Sequence, residues 1–87
     1  MDIAVLKRKN FEPMEFFKSE TARRLGIVNF TDYEPIIKNL SLTADKIQEV
    51  RDLLKHAIEI NSGYRCPMLN TAVNGKKYSQ HLLGQAI

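Results

Sequence analysis

The chain has 87 residues, 44% hydrophobic and 26% charged, which is the composition of one small globular domain and not of a disordered segment. Thirteen basic and ten acidic residues give a net charge of +3, too small and too evenly spread to point to nucleic acid. A single cysteine, Cys66, excludes an internal disulfide framework and any multi-cysteine zinc site.

Residues 1–10 read as a lead-in with a short strand at Ile3–Leu6. That apolar stretch is too short for a signal-peptide core, and no run reaches the roughly 18 residues of a membrane span. The chain is therefore expected to be made in the cytoplasm, with no signal peptide and no membrane partner. Pro13 suits a first helical turn, where its missing N–H costs nothing. Met14, Phe17 and Thr21, extended by Ala22 and Leu25, share one helical face, and Gly26 supplies a stop. Thr31-Asp32-Tyr33-Glu34 has the pattern of a capping box and predicts a short helix to Leu40. The best helix spans about 42–56, where Ile47, Val50, Leu54 and Ala57 recur at three- and four-residue steps. Past Ala57 the period becomes two. Ile58 and Ile60 alternate with Glu59 and Asn61, predicting a strand with one buried face, which Ser62-Gly63 breaks. Pro67 opens a further short helix that Gly75 closes, and residues 78–87 read as a loop entering a strand.

Few side chains are candidates for chemistry. His56 falls in the last turn of the long helix, where a cation favours the helix dipole, and that structural role explains it. His81 stands among Ser79, Gln80 and Gly84, a setting in which an imidazole could ligate zinc. Spacing alone does not make it a ligand, because no second histidine or carboxylate lies at ligand distance in the sequence. Arg65 follows the predicted strand in a turn, where a guanidinium can grip a carboxylate or simply stack on Tyr64. Cys66 precedes Pro67 at a predicted helix start, and as a nucleophile it would need a base, for which His81 is the only candidate. Nothing in the sequence brings those two together.

Four phrases, in order, change this balance. They are Phe16 to Ile27, then Ile60-Asn61-Ser62-Gly63-Tyr64-Arg65, then Leu69-Asn70-x-Ala72-Val73-x-Gly75, and Ser79-Gln80-His81-Leu82-Leu83-Gly84-Gln85-Ala86. Together they resemble the zinc D-alanyl-D-alanine carboxypeptidase family of metallopeptidases, especially small prophage and endolysin-like members that cleave peptidoglycan peptides. The resemblance runs from about Phe11 to Ile87 and covers the N-terminal part of a typical family domain. It implies that His81 is the first zinc ligand and that Arg65 holds substrate and stabilises negative charge beside the metal. It implies too that the second ligand, an aspartate, falls just after Ile87, with a histidine and a catalytic acidic residue further on. Cys66 stands where such proteins commonly have Ser, and Lys55-His56-Ala57 replaces a Gly-Lys-Pro-like turn.

The expected fold is accordingly α+β, with N-terminal helices packed on a small, incomplete antiparallel sheet. Residues 1–10 form the lead-in and residues 11–87 the N-terminal portion of a zinc D,D-peptidase-like domain, truncated at its C-terminus. The expected function is that of a fragment of a zinc peptidase acting on peptidoglycan peptides, inactive as 87 residues and holding no zinc on one ligand. The exposed strand edge of such a fragment would favour a homodimer. Two alternatives are a non-catalytic relative that binds wall peptides or packs in a phage assembly, and a small DNA-binding helical module. The last fits poorly, because the long helix mixes acids and bases on its exposed side.

Overall fold

Between Thr31 and His56 the chain has no glycine, and its one proline, Pro35, falls where a first helical turn tolerates it. This stretch forms a single helix, α2 (Glu34–Leu54), in the computed structural model, which describes residues 2–60, 63–76 and 79–84. Two helices were expected here, divided near Ser41. Their supposed boundary is continuous because its hydroxyl residues find partners beside the helix and do not cap it. Thr43 Oγ1 donates to Asn39 O at 3.0 Å, and Ser41 accepts Arg8 Nη2 on both its carbonyl and its hydroxyl oxygen. The expected capping box is not the start either: Thr31 Oγ1 accepts the Tyr33 N–H, and Tyr33 is the N-cap.

The segment from Pro13 to Leu25 divides into a 3-10 helix (Pro13–Phe17) and α1 (Glu20–Leu25). Ser19 causes the restart, since its hydroxyl accepts the Ala22 N–H at 3.1 Å as an N-cap. Gly26 ends α1 at a φ of 69°, as its position after Leu25 predicts. The third helix, α3 (Pro67–Ala72), begins at Pro67 as expected. The left-handed residue that follows is Asn74 at a φ of 56°, not Gly75.

The core joins Leu6, Phe11, Phe16 and Phe17 to Ile37, Leu40 and Ala44 of α2, and adds Ile60 and Tyr64. Only the first half of α2 is buried in it, for Val50, Leu53 and Leu54 are exposed. The apolar period of α2 therefore continues beyond the surface it packs against.

Among the described residues the expected antiparallel sheet is not formed, and the α+β assignment is corrected to a mostly helical fold. Among the described residues the only strand-type pairing is an isolated bridge between Arg8 and Phe11. Ile3–Leu6 is a 3-10 helix started by Asp2, whose carboxylate accepts the Ala4 N–H. Ile58 to Ile60 is irregular backbone laid on the helical core, with Ile60 buried and Glu59 exposed. Alternation there reports one buried face, and pairing would need a second strand. The strand expected over 83–87 begins within a 3-10 helix (Gln80–Leu83), which Gly84 ends at a φ of 74°. Asn61 and residues 85–87 lie outside the described residues. The strand edge invoked for a homodimer thus has no counterpart among the described residues. None of the described helices is long and apolar enough to cross a membrane.

Candidate functional site

Gly63, Tyr64 and Arg65 run past the end of the Pro13–Phe17 helix, and the approach is close. The Tyr64 N–H donates to Phe16 O at 2.9 Å. A Cβ on Gly63 would lie 2.5 Å from that same oxygen, so only glycine lets the two backbones meet. The freed Gly63 carbonyl then faces His81, whose Nδ1 lies 2.7 Å from it. A carbonyl can only accept, so Nδ1 carries the proton, and in the neutral ring the lone pair is on Nε2. This is the arrangement by which proteins fix the tautomer and orientation of a metal-binding imidazole.

Ser79 ties the histidine to the arginine. Its hydroxyl caps the Gln80–Leu83 helix by accepting the His81 N–H at 3.2 Å. The same oxygen accepts Arg65 Nη2 at 3.0 Å. A third link runs through the backbone, where the Arg65 N–H donates to His81 O at 3.0 Å. Arg65 Nε is buried and has no hydrogen-bond partner among the described residues. Gly84 seats the whole turn on α2, with its carbonyl accepting Thr43 Oγ1 and the Leu83 carbonyl accepting Asn39 Nδ2.

Arg65 and His81 open into one cavity of about 600 Å³, lined also by Asn74, Lys76, Ser79 and Gln80. Among the described residues its charged side chains are Arg65 and Lys76, and no carboxylate lines it. Such a cleft favours an anion. The two residues singled out in the sequence are therefore brought together, although 3-10 and irregular backbone, not strands, carry them. His56 is elsewhere: it lies past the C-cap of α2, Lys55, and its Nδ1 contacts the Ala57 carbonyl. Cys66 is occupied as the N-cap of α3, its Sγ accepting the Leu69 N–H at 3.4 Å. Among the described hydrogen bonds none joins Cys66 to His81.

The sequence reading missed Asn29, which is buried in the irregular stretch between α1 and α2 and bonds to three backbone groups around this site. An asparagine between apolar Val28 and Phe30 was the available signal, since a buried amide needs partners. Asn70 shows similar economy, donating to Lys76 O from α3. A Cβ on Gly75 would lie 2.0 Å from Asn70 Oδ1, which explains that glycine by contact and not by φ.

The described residues do not by themselves fit the zinc that the resemblance implies. One imidazole is oriented for it, but among the described residues no group of three or more His, Cys, Asp or Glu could hold a metal ion. Zinc sites in proteins use three or four such ligands. Comparison with curated proteins and with solved structures finds no match. Comparison with protein families does: the family described as Peptidase M15 matches residues 9–87, spanning both the arginine loop and the histidine turn. The chain belongs to the Peptidase M15 family.

Proposed function

We propose that this chain carries the substrate-binding half of a peptidase site for peptidoglycan peptides of the D-Ala-D-Ala class. The observation that supports this most directly is the fixed pairing of Arg65 and His81 through Ser79 at one cleft, whose described lining carries Arg65 and Lys76 and no carboxylate. Arg65 would bind a peptide carboxylate or the oxygen that gains negative charge as the scissile carbonyl is attacked. A guanidinium held in advance does this without reorganising during the reaction. His81 would present Nε2 to zinc, which in this family polarises the carbonyl and activates water; its other ligands would come from residues beyond Ile87. By this reading the 87 residues alone hydrolyse nothing.

The test is to extend the reading frame beyond Ile87 and assay zinc content and cleavage of a D-Ala-D-Ala peptide. One zinc per domain and chelator-sensitive cleavage are expected. His81→Ala should remove both. Arg65→Ala should keep the metal and lower turnover by roughly 10²–10³-fold, the scale of losing one oxyanion donor. Zinc retained in full by His81→Ala would overturn the assignment of His81. A second reading, a non-catalytic wall-peptide binder, rests on the same cleft, where Arg65 and Lys76 could hold a peptide carboxylate without a metal. It predicts metal-independent peptide binding that Arg65→Ala abolishes, with no cleavage by the extended chain.

A further inference from the structure

Asn29 and Arg65 are far apart in sequence, yet one side chain of the first holds the peptide groups on either side of the second. Asn29 Nδ2 donates to Tyr64 O at 2.8 Å, and Asn29 Oδ1 accepts the Cys66 N–H at 2.8 Å. The second Nδ2 hydrogen goes to Phe17 O, also at 2.8 Å. The partners settle which end of the amide is which, since two carbonyls need donors and one N–H needs an acceptor.

We propose that Asn29 is the positioning residue of Arg65, setting where its guanidinium meets Ser79 and the cleft. With the Arg65 N–H held by His81 O, every peptide group bordering Arg65 on the chain is bonded to a distant element. The Cα–Cβ direction of Arg65 is thereby fixed relative to the Pro13–Phe17 helix. Only a carboxamide meets this demand for two donors and one acceptor at short reach. Aspartate offers no donor when ionised, and glutamine adds a methylene. Asn29 is 9% exposed, so water cannot substitute freely for a lost bond. The inference deepens the proposed function, on which the importance of Arg65 rests, while the positioning itself is measurable without any activity.

The experiment follows the Arg65 Nε–H in ¹H–¹⁵N spectra of the 87-residue chain, with the resonance assigned by its absence in Arg65→Lys. Asn29→Asp at neutral pH should shift that resonance and speed its exchange with water at least roughly tenfold, because both Nδ2 donors are lost and one hydrogen bond alone is worth about that factor. Acidification should partly reverse both, because a protonated carboxyl regains one donor. Ile37→Val, a core variant remote from these bonds, serves as control, with temperatures chosen to match the unfolded fractions. An Asn29→Asp spectrum no different from that control would overturn the proposal, and so would a change that acid does not reverse. If the variant folds only in acid, that rescue supports the proposal; folding in neither condition is followed by Asn29→Gln, which must fold and still displace the resonance. In the extended chain Asn29→Asp should lower kcat with zinc content kept. Failure of the parent extended chain to cleave peptide sinks the functional reading and leaves the spectral result standing.

Discussion

Sulfur is a weak hydrogen-bond acceptor, and Cys66 uses it to cap α3 at 3.4 Å from the Leu69 N–H. Serine at an N-cap is among the best residues, so Cys66→Ser should stabilise the chain by about 0.5–1 kcal/mol. Urea unfolding would show it as a higher midpoint at unchanged slope, and a lower midpoint would refute it. Tyr64 provides a pH-dependent test. Burial pushes its phenol above the ordinary tyrosine value, with Cys66 as a smaller cause in the same direction. The folded state thus holds the proton more tightly than the unfolded state does. Its contribution to stability is complete below about pH 10 and is lost as pH rises through the raised value. Thermal unfolding measured across alkaline pH should fall over that range, and Tyr64→Phe should flatten the fall. At this scale the sequence singled out two residues, Arg65 and His81, that the fold brings together. They stood out because their chemistry is rare in this chain and their phrases match a family. Asn29 did not, because an asparagine's value here lies in backbone groups that only the fold assembles.

Elements were less legible than residues, and the reasons are local. A hydroxyl residue signals a helix start only if its oxygen is free to cap, and those of Ser41 and Thr43 are engaged beside α2. A period of two signals a strand only if a partner strand exists, and Ile58 to Ile60 has none among the described residues. The stop at Gly26 was clearer, because the glycine that ends a helix acts within its own residue, whereas after α3 the left-handed residue is Asn74 beside the expected Gly75. Gly84 joins such a stop to a close approach. At a φ of 74° its added Cβ would lie 2.8 Å from Leu40 Cγ and 2.9 Å from Ile36 O. Gly84→Ala should therefore cost more than the ~1–2 kcal/mol of a left-handed residue alone. It should also lift the Gln80–Leu83 turn from α2. Hydrogen exchange should accelerate at Leu82 and Gly84 before it does in α2, and uniform acceleration would contradict this.

At the scale of the whole molecule residues 2–8 are part of the fold, although the family match begins at residue 9. Leu6 is fully buried in the core, and the Ile3–Leu6 helix packs on α2. Arg8 fastens it there. Its guanidinium donates to Asp45 and Ser41 of α2 and to the carbonyls of Val5 and Lys7, so one side chain closes the segment and docks it. Domains of this size have only ~0.05–0.15 kcal/mol of stability per residue, and emptying one leucine site costs about 2–5 kcal/mol. Losing Leu6 with the Arg8 bonds should therefore consume much of what holds the chain folded. A chain beginning at residue 9 is expected to melt well below the full chain or to lack a cooperative transition by circular dichroism. Arg8→Ala should fall between the two, because it keeps Leu6 while leaving Ser41 O without the guanidinium. Equal melting temperatures for the shortened and full chains would show that the core closes without this segment, and that the site seated on α2 needs only the family-matched residues.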